Sequence, residues 1–115
     1  MSDNCVRDKF KIEYFERVSV YRYYHKGQLM ELNSSFEIIT LNISFEGLEI
    51  ITDKQFSEED ILLLNIRVDG IPFDKVLGKV KCINKIGEMY KICLEFIGIP
   101  NFLFEKLKSI KNNEE

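Results

Sequence analysis

From Arg17 to Ile97 the chain is a succession of short runs in which apolar and polar residues alternate, separated by turn residues. Val76, Gly78, Val80 and Cys82 alternate with Leu77, Lys79, Lys81 and Ile83, and Tyr90, Ile92, Leu94 and Phe96 alternate with Lys91, Cys93, Glu95 and Ile97. Neighbouring side chains of a strand point to opposite faces, so a period of two marks half-buried strands. Residues 18–24, 29–32, 36–41, 48–52 and 61–68 read as further strands, rich in β-branched and aromatic side chains. His25-Lys26-Gly27-Gln28, Asp69-Gly70 and Ile86-Gly87-Glu88 supply turns, with Asp-Gly the strongest hairpin signal. Asn33-Ser34-Ser35 is expected to close the strand at 29–32, and Pro72 to keep its turn out of a central strand. About six antiparallel strands are more than two stacked layers need at 115 residues. One small closed or nearly closed barrel is the expected architecture.

The period changes after Pro100. Asn101 is placed to cap a short amphipathic helix over 102–111, with Leu103, Leu107 and Ile110 on one face. Its lysines fall late, where the helix dipole favours cations. This helix is expected to cover an open end or one face of the barrel, and residues 112–115 to fray.

Nine Phe and five Tyr without Trp fit a β-rich core. The net charge of −3 excludes a generally basic nucleic-acid-binding surface, so any anion site must come from locally placed Arg and Lys. Cys5, Cys82 and Cys93 form no CxxC pair, which gives neither a disulfide framework nor zinc spacing. A reducing, cytoplasmic compartment is expected, with Cys82 and Cys93 as small strand residues. No segment has the apolar length of a membrane span, and residues 1–5 lack the pattern of a signal peptide.

Asn42-Ile43-Ser44-Phe45-Glu46-Gly47 leaves a strand through an amide, a hydroxyl and a glycine. In extended backbone Asn42 and Ser44 project to one face, and Gly47 can take the positive φ that returns the chain to the sheet. These residues make either a plain hairpin turn or two short hydrogen-bonding groups held on a rigid rim.

With its strand order, this motif resembles the PilZ domain, a family of bacterial cyclic di-GMP receptors. The similarity runs from about Glu13 to Ile110. It rests on Asn42, Ser44 and Gly47 of an Asn-x-Ser-x-x-Gly signature, on Arg17-Val18 opening the first strand, and on Gly78-Lys79-Val80 and Leu94-Glu95-Phe96 late in the chain. The resemblance implies a mainly β fold: a six-stranded antiparallel barrel with a C-terminal α-helix over residues 13–111, preceded by an N-terminal arm at 1–12. It also implies a nucleotide held between arm and barrel rim by Arg17, Asn42, Ser44 and Gly47, with no metal or other cofactor. The family's Arg-x-x-x-Arg motif is half present: aligning its second Arg to Arg17 puts Glu13 at the first. Lys9, Lys11 and Arg22 are weaker ligand candidates that could compensate, although a lysine lacks the fork with which arginine reads guanine or phosphate.

Each candidate also has a plainer role. Arg17 can be a solvated residue leading a strand, Asn42 and Ser44 turn caps, Glu13 a solvated charge and Arg22 a strand residue among barrel-wall tyrosines. The lone His25 offers no acid–base set, and the acidic run Glu58-Glu59-Asp60 reads as a solvated loop and not a metal cage, so no enzyme is expected. Two functions follow. One is a cytoplasmic cyclic di-GMP receptor, monomeric or weakly dimeric, that signals to an unidentified downstream protein. The other is a degenerate PilZ domain without nucleotide that acts as a protein-interaction adaptor for motility, pilus or exopolysaccharide components.

Overall fold

The computed structural model describes residues 11–114. Seven strands and one helix follow in order: β1 (Ile12–Glu13), β2 (Arg17–His25), β3 (Gln28–Ile43), β4 (Gly47–Thr52), β5 (Ile61–Val68), β6 (Ile71–Ile86), β7 (Met89–Gly98) and α1 (Asn101–Glu114). Their order in the sheet is β1-β3-β2-β5-β6-β7-β4, all antiparallel, and a further β3–β4 pairing closes β2 to β7 into a six-stranded barrel. Closure removes free sheet edges. The expected barrel and its C-terminal helix are therefore present, with one extra short strand.

The expected alternation decides what fills the barrel. Val18 and Val20 point inward from β2, Val76 and Val80 from β6, and Ile92 and Leu94 from β7, all buried. Ile38, Ile43, Leu48, Ile50, Leu62 and Leu64 complete the interior. Each such side chain contributes roughly 1.5–3 kcal/mol on burial. Two-residue turns join β2 to β3 and β5 to β6 through Lys26-Gly27 and Asp69-Gly70, with positive φ at both positions, which matches the twist of the hairpins.

Helix α1 closes one barrel end. Leu103 and Leu107 are fully buried, Phe104 lies 5.3 Å from Phe45 in the β3–β4 turn, and Lys106 pairs with Asp69 at 2.8 Å. Asn101 is the first helical residue and not the cap. The Pro100 carbonyl accepts from the amides of Leu103 and Phe104, and the helix runs on to Glu114.

Several local expectations change. Residues 29–41 belong to one strand of 16 residues. Asn33-Ser34-Ser35 falls where pairing jumps from Val20↔Phe36 to Arg22↔Glu31, so the polar triplet marks a register break and not a strand end. Pro72 lies inside β6, opposite Arg67. The Arg67 amide points to Tyr14 and Glu16 instead of to β6, so this pair needs no donor from proline. Cys82 is disulfide-bonded, against the expectation of unpaired cysteines, and Cys93 is buried. Asp60 is not solvated: it is buried, and its carboxylate accepts from the Ser57 amide at 2.9 Å and pairs with His25 Nδ1 at 2.7 Å.

Candidate functional site

β1 and β2 are two stretches of one edge laid along β3, interrupted at residues 14–16. Thr40 fills the interruption from the buried side. Its hydroxyl donates to the Tyr14 carbonyl at 2.5 Å and accepts from the Glu16 amide at 2.8 Å. On the far side the Tyr14 phenol reaches the Arg67 carbonyl at 2.7 Å and the Glu16 carboxylate, its single proton serving one at a time. The Arg67 amide donates to both partners. Burial, reinforced by the Glu16 carboxylate, raises the Tyr14 phenol well above its ordinary pKa.

This lead-in fixes the places of Glu13 and Arg17. Glu13 lies opposite Asn42, and Arg17 opposite Ile39. The β3–β4 ladder then places Asn42 opposite Glu49, after a register shift between Thr40 and Asn42. The extra residue, Leu41, changes the parity of the strand, so Asn42 joins outward Glu49 and not inward Thr40.

Asn42 Nδ2 donates to Glu49 Oε1 at 2.7 Å. Glu49 also pairs with Lys91 at 3.9 Å and Lys11 at 4.0 Å, with its side chain only 12% exposed. Asn42 Oδ1 is buried and has no hydrogen-bond partner among the described residues. Such an orphaned acceptor costs roughly 1–3 kcal/mol.

Arg17 is 70% exposed and pairs with Glu37 at 3.5 Å. An exposed pair of this kind holds about 0–1 kcal/mol, so a ligand can displace it cheaply. Arg17 borders an open hollow of about 410 Å³, which Phe36, Ile39, Ile51 and Met89 line with apolar surface and Glu37 and Asp53 with negative charge.

Ser44 and Gly47 serve the fold. Ser44 is fully buried, and its Oγ accepts from the amides of Glu46 and Gly47 at 3.1 and 3.3 Å. β3 ends at Ile43, so strand alternation no longer sets the direction of Ser44, and it does not share a rim with Asn42. Gly47 does not take a positive φ. It is required because a Cβ there would lie 1.8 Å from the Leu94 carbonyl oxygen of β7.

Among the weaker candidates, Lys11 joins the Glu49 cluster, and exposed Glu13 faces Asn42 across the ladder. Arg22 sits on the β2/β5 side, away from this group. Lys9 lies outside the described residues. Glu49 and Glu37 were not singled out from the sequence. Their only signal is an outward place in Leu48-Glu49-Ile50 and Phe36-Glu37-Ile38. Among the described residues no group of His, Cys, Asp and Glu could hold a metal ion, and no helix is long and apolar enough to cross a membrane.

No protein-family model matches the chain, and neither does any curated protein or solved structure.

Proposed function

We propose that this chain is a PilZ-like, non-catalytic module that binds cyclic di-GMP and passes the signal to a partner protein. The observation that carries this reading is the register: Glu13 of the lead-in pairs with Asn42 and Arg17 with Ile39, and Arg17 borders an open hollow with apolar walls. A guanidinium beside an apolar wall suits a ligand that combines guanine faces with phosphates. Arg17 grips the nucleotide after releasing Glu37, and the amide of Asn42 exchanges Glu49 for a guanine edge. Arg17→Ala is expected to abolish binding while leaving the melting transition in place. Unchanged affinity in that variant removes Arg17 from the site.

A specific observation also favours the adaptor without nucleotide. Glu13, Glu37, Glu49 and Asp53 surround or face the candidate groups, against Arg17, Lys11 and Lys91. On that function the barrel binds a protein directly and cyclic di-GMP leaves it unaltered.

A further inference from the structure

A second hollow, of about 70 Å³, lies on the outer surface between β2 and β5. It is lined by Ser19, Tyr21, Arg22, Leu63, Asn65 and Lys75, and it shares no residue with the hollow at Arg17. Its volume is about that of two water molecules, enough for one phosphoryl group and too small for a nucleotide.

Three features of the backbone assemble it. The β2–β5 ladder consists of Tyr23↔Leu62 and Tyr24↔Ile61 alone, so the two strands part below this seam. The β2 bulge at Tyr21 leaves Tyr21 and Arg22 both exposed, although they are consecutive. A second irregularity, between Leu64 and Ile66, breaks the β5–β6 register where Lys75 has a φ of 64°. The Lys75 amide donates to Asn65 Oδ1 at 3.2 Å, which holds the strained residue and leaves the Asn65 NH₂ as a donor. Lysine in this left-handed conformation is strained, and such strain concentrates at ligand sites.

The chemistry of the lining is one-sided. Arg22 and Lys75 bring two positive charges, while Ser19, Tyr21 and Asn65 bring hydroxyl and amide donors. No carboxylate of a described residue lines the hollow, in contrast to the one at Arg17. Neither cation forms an ion pair with a described residue, although Glu31 lies opposite Arg22 in the β2–β3 ladder. Two cations without an ion pair to any described residue, ringed by donors, supply the chemistry that an oxyanion calls for.

We infer that the β2/β5 hollow binds a single phosphate group, with Arg22 and Lys75 neutralising its charge and Asn65, Ser19 and Tyr21 bonding its oxygens. The phosphate is either free inorganic phosphate or the phosphomonoester of a phosphorylated side chain. Both carry up to two negative charges at neutral pH. This site is independent of the nucleotide reading.

The test is an amide-resolved NMR titration of the full chain at low ionic strength, with inorganic phosphate in one series and O-phosphoserine in another. Saturable shifts clustered at residues 19–22, 63–65 and 75 are expected. Arg22→Gln and Lys75→Asn should each weaken binding by roughly tenfold or more, since a charge-assisted bond is lost. Asparagine tolerates the left-handed conformation, so the second variant removes the charge without new strain. Tighter binding of O-phosphoserine identifies a phosphorylated partner as the source, and equal or tighter binding of inorganic phosphate identifies the free ion. Shifts that fail to saturate, or saturable binding that both variants leave unchanged, overturn the assignment.

Discussion

Glu13 lies directly opposite Asn42 in the β1–β3 ladder, which sets an acid beside the amide of the Asn-x-Ser-x-x-Gly sequence. Backbone pairing fixes this juxtaposition, and the side chain of Glu13 is free to change without disturbing the core.

On the proposed nucleotide function, Glu13→Arg should strengthen cyclic di-GMP binding. The change replaces repulsion with a charge-assisted bond worth roughly 1.5–3 kcal/mol, which is about tenfold or more in affinity. Calorimetry of the variant beside the parent chain measures this. Equal affinities mean that position 13 does not face the ligand.

Gly47→Ala should destabilise the barrel. The new Cβ would collide with the Leu94 carbonyl oxygen at 1.8 Å, and both partners are backbone in paired strands. A loss of about 1–3 kcal/mol is expected for such overpacking. Urea unfolding should show a lower midpoint with an unchanged slope. Gly70→Ala is the contrasting control, because nothing lies within 4 Å of its Cβ and only its positive φ is strained.

Tyr14→Phe should cost stability most at neutral pH. The folded-state pKa of Tyr14 is raised by burial first and the Glu16 carboxylate second. The protonated phenol therefore stabilises the fold below the unfolded pKa of about 10. That stability is lost as pH rises from there toward the folded value, because the unfolded state gives up its proton first. Denaturant titrations from pH 7 to 11 should show the difference between parent and variant shrinking above pH 10. A constant difference contradicts the assignment.

The strand alternation, the Asp69-Gly70 turn and the apolar face of α1 were legible in the sequence, because each depends on neighbours within a few residues. Features set by register were not. β1 is two residues long and has no periodic signal; the side chain of Thr40, more than twenty residues away, carries the backbone through the interruption that follows it. Leu41 gives no sign of being the extra residue that turns Asn42 toward Glu49. Gly47 reads as a turn glycine of the motif, whereas its close approach involves β7 and not its own turn. Asp60 looked like one acid of a solvated run, and only the fold brings it to His25. At the candidate site, Arg17 and Asn42 were named from the motif, whereas the carboxylates that hold them, Glu37 and Glu49, became visible only once β3 and β4 were paired.

The most direct measurement is a calorimetric titration of the chain with cyclic di-GMP at low and moderate salt, with GTP as the control. A cyclic di-GMP receptor should give saturable heat specific for that nucleotide, weakening as salt screens Arg17 and its neighbouring lysines. The stoichiometry would tell a monomeric ligand from a dimeric one. No heat and no thermal stabilisation at high ligand concentration would contradict that function, and would leave Glu13 as the mark of a lost nucleotide site on a barrel that binds a protein partner.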